Sequence, residues 1–213
     1  MKITVLGAAG NVGRRVVAEA LARGHDVSAV VRSSNKFAEL PSGAVPKVGD
    51  AANSADVAKL TLGQDVVVSA TRPPTNNRIQ VVASTKALMQ GVAENDVRLI
   101  VIGGAATLTV PGPGGRTVIE DANYLPVSAR HIGRASAEQY EACLNEERVN
   151  WVYLSPPASL APGLRTGQYR VGADELIVDS KGISKISIED LAVALVDEIE
   201  IPRHRRQRFT VAY

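Results

Sequence analysis

The chain has one cysteine, Cys143, among its 213 residues. An intramolecular disulfide is excluded, and Cys143, set in a helix-like stretch, reads as a small packed side chain rather than a nucleophile. Aromatic residues are only 4% of the chain, so the core must be built from Val, Ala, Leu and Ile, as in a buried parallel sheet. No apolar run reaches the length of a membrane span. An excess of one charge is missing as well. The formal net charge of +2 is too small to argue for nucleic acid or a membrane surface. The one basic cluster, Arg203 to Arg208, is not repeated and carries no stacking aromatics, so it reads as a solvated loop. No Cys/His cluster has metal-ligand spacing, and no Gly-x-Ser-x-Gly elbow is present. The first strand starts at Lys2, which leaves no room for a signal peptide, and the cytoplasm is the expected location. The length suits one domain, read as 1–213.

What is present is a repeating alternation. Lys2 to Leu6 reads as a buried strand and Gly7 to Gly13 as a turn. Val12 to Arg23 carries apolar residues on one helical face, and Gly24 ends that helix. Val27 to Val31, Val45 to Val48, Asp65 to Ser69, Arg98 to Ile102 and Val149 to Leu154 read as further strands. Asp56 to Leu62, Asn77 to Asn95 and His131 to Glu147 read as the helices between them. Strands alternating with helices predict an α/β fold: a Rossmann-type, doubly wound, mostly parallel sheet with helices on both faces. Two stretches break the rhythm. Thr107 to Ala129 and Pro156 to Asp179 are long loops after strand ends, the second with a small hairpin expected between Tyr169 and Val178. Loops of this length and position are expected to bind ligand, which makes the later one a small C-terminal substrate region.

The turn Gly7-Ala8-Ala9-Gly10-Asn11-Val12-Gly13 follows a strand and opens a helix, the context that a dinucleotide-binding motif requires. Gly7 permits the tight turn, Gly10 lets the backbone approach a pyrophosphate, and Gly13 allows close helix packing. The helix N-terminus then offers free N–H groups to the phosphates. At the end of the second strand, where NAD binders place an acid, the chain runs Val30-Val31-Arg32-Ser33. Arg32, assisted by Ser33 and Lys36, suits a 2′-phosphate, so NADP(H) is expected over NAD(H).

These residues, together with Val101-Ile102-Gly103-Gly104-Ala105, Trp151 to Pro157, Pro162 to Gly167, Ile186 to Ala192 and Arg208 to Val211, resemble the atypical short-chain dehydrogenase/reductase family. Within it the chain is similar to bacterial proteins named NADH-flavin reductases, relatives of biliverdin-IXβ reductase/flavin reductase. The resemblance implies further cofactor contacts. Gly49 and Asp50 would lie beside the adenine. Ser69, Ala70, Thr71 and Arg72 would line the middle of the cofactor. Gly103 and Gly104, with Ser155, Pro156 and Pro157, would flank the nicotinamide.

The Tyr-x-x-x-Lys pair of typical short-chain dehydrogenases is absent: Tyr124, Tyr140 and Tyr169 are followed four residues later by Ser128, Leu144 and Ala173. Hydride transfer to a flavin, quinone or similar planar acceptor does not need that pair, since solvent can supply the proton. A flavin is expected as a passing substrate rather than a bound cofactor. Arg165 could grip an acceptor phosphate or carboxylate, or anchor its loop through an ion pair. His131 could donate a proton, or simply occupy the first helical turn. Ser187 with Asp190 reads as a capping box. A non-catalytic NADP(H)-binding redox sensor is the alternative function, and a sugar epimerase is disfavoured by the missing pair. Asn77 to Asn95 could form the face of a homodimer.

Overall fold

A computed structural model describes residues 1–72 and 78–213. The first apolar run forms β1 (Lys2–Leu6), and α1 (Gly13–Ala22) leads back to β2 (Asp26–Val31). The alternation continues through β3 (Val45–Val48), α2 (Ser54–Thr61), β4 (Val66–Ser69), α3 (Arg78–Ala93), β5 (Arg98–Ile102), α4 (Arg130–Leu144) and β6 (Trp151–Ser155). The C-terminal part supplies β7 (Ser159–Ala161), β8 (Arg170–Gly172), β9 (Lys185–Ser187), α5 (Ile188–Glu200) and β10 (Gln207–Ala212). The expected helix start at Asn77 lies outside the described residues.

Eight strands form one sheet in the order β3-β2-β1-β4-β5-β6-β10-β8. Among the described residues only the edge strand β8 is antiparallel, to β10. β7 and β9 form a separate parallel pair. This is the Rossmann-type order, and its direction reverses at β1, which pairs with β2 on one side and β4 on the other. A crevice therefore opens beyond the carboxyl ends of these strands. Strand alternation sorts the core into two layers. Ile3, Val5, Leu154 and Phe209 face α1 and α5, while Leu6, Val67, Leu99 and Trp151 face α2, α3 and α4. Cys143 is fully buried in the second layer, where desolvation pushes its thiol up to about 12. It is a packing residue, as its sequence context indicated. Among the described residues no helix is long and apolar enough to cross a membrane.

The segment from Pro162 to Tyr169 does not stay at the strand ends. It runs as a strap along α1 and α5. Gly163 N–H donates to Glu189 Oε2 at 2.7 Å, and both Arg165 nitrogens reach Glu19 at 2.8 Å. Thr166 and Gly167 N–H both donate to Asp190 Oδ1 at 2.8 Å, and Thr166 Oγ1 donates to Asp190 Oδ2 at 2.6 Å. The Ser187 cap is half of a capping box. Ser187 Oγ accepts from Asp190 N–H at 2.9 Å, but the Asp190 carboxylate is given to the strap. The hairpin expected between Tyr169 and Val178 does not form. β8 pairs instead with β10, and the chain then crosses to Thr109, whose N–H donates to Asp174 O at 2.9 Å. Val171 opposite Val211 and the packing of Leu176 on Leu108 and Val118 override the local turn.

The strap is held by carboxylates of lowered pKa. At Glu19 the Arg165 hydrogen bonds outweigh the opposing effect of burial, with Arg23 assisting. At Asp190 burial pushes upward, but bonds from Thr166, Tyr213 and the Gly167 N–H more than offset it. A depressed folded-state pKa gives stability that is present above the ordinary carboxylate value and lost as pH falls below it. The strap is therefore expected to loosen below about pH 4, ahead of the sheet. Hydrogen exchange against pH reads this directly. Strap amides that stay as protected as those of β1 at the acid end would refute it.

Candidate dinucleotide site

The glycine turn sits at the reversal point of the sheet. Gly7 has φ +78°, and a Cβ there would lie 2.6 Å from Ala70 O. Gly10 N–H donates to Gly7 O at 3.0 Å. A Cβ on Gly13 would lie 2.2 Å from the same Gly7 oxygen. The sequence assigned Gly13 to packing against the strand, whereas its tight contact is with the turn itself. That contact sets the first turn of α1 against the end of β1. The N–H groups of Asn11, Val12 and Gly13 donate to no backbone acceptor among the described residues. They are the unsatisfied donors of a helix N-terminus, where the dipole favours an anion. Ala8 is buried beneath the turn, and Ala9 is half-buried.

Arg32 and Ser33 lie exposed just past β2, and Arg32 has no ion-pair partner among the described residues. Lys36 is also exposed but reaches Glu39 at 2.5 Å. Gly49 N–H donates to Val31 O at 3.0 Å, which brings Gly49 and Asp50 alongside the end of β2. Asp50 Oδ1 accepts from Ala52 N–H at 3.0 Å. One side of the crevice thus holds free donors and a free guanidinium, the groups that fit a phosphorylated dinucleotide.

The other side is built after β4 and β5. Ser69 Oγ and Thr71 Oγ1 are 2.9 Å apart, while Arg72 is exposed. Thr71, Arg72, Ile102 and Gly103 face Ser136 and Gln139 of α4 across a shallow cleft. Tyr153 lies under the Gly103-Gly104 turn. A Cβ on Gly103 would fall 1.9 Å from Tyr153 Cζ, inside the space of the ring. Gly104 N–H donates to the Tyr153 hydroxyl at 3.2 Å, and that hydroxyl donates to Ser136 O at 3.1 Å. Burial pushes the Tyr153 pKa well above the usual phenol value, so it stays neutral. Ser155 ends β6, with Pro156 and Pro157 next to it; all three are buried, and Ser155 Oγ has no partner among the described residues.

The other candidate side chains lie apart from this cleft. His131 is exposed in the first turn of α4, with Nδ1 2.9 Å from Ser128 O. Arg165 is bidentate on Glu19, which sits in the second half of α1. At 1.5 Å per residue Glu19 is about 9 Å along the axis from Gly13, so Arg165 belongs to the strap. α3, read as a possible dimer face, packs between α2 and α4.

One reading needs correction. Arg208 is not part of a solvated loop. It lies in β10, buried, with Nε and Nη2 donating to Asp174 Oδ1 at 3.0 and 2.6 Å. Its Nη1 donates to Thr107 Oγ1 at 2.6 Å, and its Cζ lies 4.6 Å over the Tyr140 ring. A single guanidinium joins both long loops to α4 and the sheet. The signal was strand alternation: Arg208 and Thr210 point opposite to the core residues Phe209 and Val211. Ser136, Gln139 and Tyr153 were missed for a different reason, because nothing in their local pattern marks them.

Among the solved structures with which the whole chain aligns are these three. A Burkholderia pseudomallei protein described as a "Putative exported protein" is 40% identical with TM-score 0.89, all of both chains being covered. A Bacteroides thetaiotaomicron "putative epimerase" is 36% identical with TM-score 0.89, covering 100% of this chain and 96% of the other. A Streptococcus pneumoniae "putative NADH-flavin reductase" is 29% identical with TM-score 0.87, covering 100% of this chain and 99% of the other. The family model described as NAD(P)H-binding matches residues 7–199, from the first glycine of the turn almost to the end of α5, and the chain belongs to that family.

Proposed function

We propose that this protein is an NADPH-dependent reductase that passes hydride to a flavin, quinone or similar planar acceptor, which enters as a substrate. The carrying observation is the neutral wall at Gly103-Gly104. Its backing tyrosine is buried and already hydrogen-bonded, and no Tyr-x-x-x-Lys pair stands beside it. Of the other four phenols, Tyr124 donates to Gly182 O at 3.1 Å, Tyr169 is bonded to Asp197, and Tyr213 donates to Asp190 Oδ2 at 2.7 Å, while Tyr140 lies under the Arg208 guanidinium, where burial raises its pKa above the usual phenol value. Such a site suits an acceptor ring that takes its proton from water, and it does not suit an epimerase or alcohol dehydrogenase. The Streptococcus relative's description supports the acceptor class.

The free N–H groups of Asn11, Val12 and Gly13 bind the pyrophosphate. Arg32, with Ser33 and Lys36, holds the 2′-phosphate. The bound nicotinamide supplies the hydride. Gly103 and Gly104 let Tyr153 and Ser136 pack against their turn, which then stands as one wall of the cleft, and proximity supplies most of the rate. The test is NADPH oxidation with and without FMN or a quinone, run beside NADH. Turnover that needs the acceptor is expected. Arg32→Ala is expected to cut the preference for NADPH over NADH about tenfold, the worth of one charge-assisted phosphate contact. Tight NADP(H) binding with no turnover on any planar acceptor would overturn the reductase in favour of a redox-reading binding protein.

A further inference from the structure

A cavity lies away from the dinucleotide site. It has a volume of about 300 Å³, and its walls come from Tyr169, Val171, Ala194, Ile201 and Phe209, with Arg203 at the lip. That is the lower end of the range for small-molecule sites. It sits at the edge of the sheet between β8 and the C-terminal end of α5. Arg206 N–H, in the loop that forms its rim, donates to Trp151 O at 2.7 Å, at the amino end of β6. The glycine turn follows the carboxyl end of β1, so the two sites open at opposite ends of the sheet.

The charge in the cavity is unevenly committed. Asp197 is paired with Arg23 at 2.6 Å and bonded to the Tyr169 hydroxyl. Glu198 is buried, paired with Arg98, and 2.7 Å from His204 Nδ1. The His204 ring is itself taken, stacked on Phe209 with centroids 4.6 Å apart. Arg203 has no ion-pair partner among the described residues and is exposed. Val171 and Ile201, at 49% and 61% exposure, present apolar surface to solvent on either side of the opening. Walls of hydrocarbon, acids already neutralised from within and the free Arg203 guanidinium at the mouth complement one kind of molecule: an apolar body ending in an anion.

We propose that this cavity is a second ligand site that takes a small amphipathic carboxylate of the medium-chain acyl type. The chain lies against Tyr169, Val171, Ala194 and Phe209, and the carboxylate meets Arg203. The site is separate from the cofactor, so binding occurs with the dinucleotide in place.

The experiment is calorimetric titration of octanoate into the full chain saturated with NADP⁺. One saturable site is expected. Arg203→Glu reverses the charge at the lip, and Val171→Asp places a carboxylate in the apolar wall. Both positions are exposed, so the fold is retained, which melting temperature confirms. Each variant is expected to weaken octanoate at least about tenfold and leave NADP⁺ affinity unchanged. Absence of octanoate binding to the parent protein overturns the proposal. Binding that neither variant weakens overturns it too, since the ligand is then elsewhere. A Glu-rich peptide that binds through Arg203 where octanoate does not would replace the small ligand with a protein partner.

Discussion

Gly13→Val is expected to abolish dinucleotide binding. A Cβ at Gly13 would stand 2.2 Å from Gly7 O, 2.9 Å from Gly7 C and 3.1 Å from Ala8 Cα. All three are backbone atoms, so no side chain can swing aside. Either the turn or the start of α1 must move, and with it the N–H groups of Asn11, Val12 and Gly13. Those donors act only as a set aimed at one anion, so displacing them removes most of the phosphate contribution. Overpacking of this kind costs about 1–3 kcal/mol of stability, and the affinity loss is expected to exceed about 100-fold. Gly24→Ala is the control. Gly24 has φ +81° with nothing within 4 Å of its Cβ position. That variant is strained by about 1 kcal/mol, yet leaves the site untouched. NADP⁺ titration with a thermal melt on both variants separates general instability from damage to the cradle. A Gly13→Val protein that binds NADP⁺ within a few-fold of the parent would show that phosphate is held elsewhere.

The turn could be assigned from sequence because its logic is local. Gly7, Gly10 and Gly13 lie within seven residues of a β-branched strand, and each strand of the parallel sheet announces itself as an apolar run. The exposed Arg32 at the end of β2 follows from the same register. Other features depend on partners far apart in the chain. Arg165 finds Glu19 146 residues away, and Arg208 finds Thr107 101 residues away. No local pattern names such partners. The basic run from Arg203 to Arg208 also hides a change of period. Arg203, Arg205 and Arg206 stay exposed, while Arg208 has entered β10 and alternates inward. The strap was misplaced for a related reason. Prolines and glycines from Pro162 to Gly167 mark a loop, but only the acids on α1 and α5 decide where it lies.

The two long loops carry a consequence for the acceptor side. Leu108, Val118 and Leu176 form a small core of their own, and Arg208 ties it to the sheet. The loops are therefore pre-assembled before any acceptor arrives. Under the proposed reductase function, such a preformed wall would lower the ordering cost of binding a flat acceptor ring.

Glu198→Ala is expected to produce the largest loss of stability by a single side-chain truncation. Glu198 is 4% exposed, yet it serves five donors. Its carboxylate pairs with Arg98 and lies 2.7 Å from His204 Nδ1, and it accepts the N–H groups of Arg203 and His204, both at 3.1 Å. Its backbone carbonyl accepts Arg98 Nη1 at 2.8 Å. Truncation leaves the Arg98 charge buried without its carboxylate, holding only the backbone carbonyls of Glu198 and His204, and strands two backbone donors. Breaking a buried pair from one side costs about 3–5 kcal/mol. Glu198→Gln keeps an acceptor in place and loses only the charge, so it is expected to cost about half as much. The sharper test is the double replacement of Arg98 and Glu198 by methionine. Removing both charges together removes the stranded one, and the double variant is expected to be more stable than Glu198→Ala. Urea midpoints for the three variants decide it, with NADP⁺ affinity as the control, because the pair lies at the far end of the sheet from the glycine turn. A double variant no more stable than the single truncation would mean that the two backbone donors, rather than the stranded guanidinium, dominate the loss.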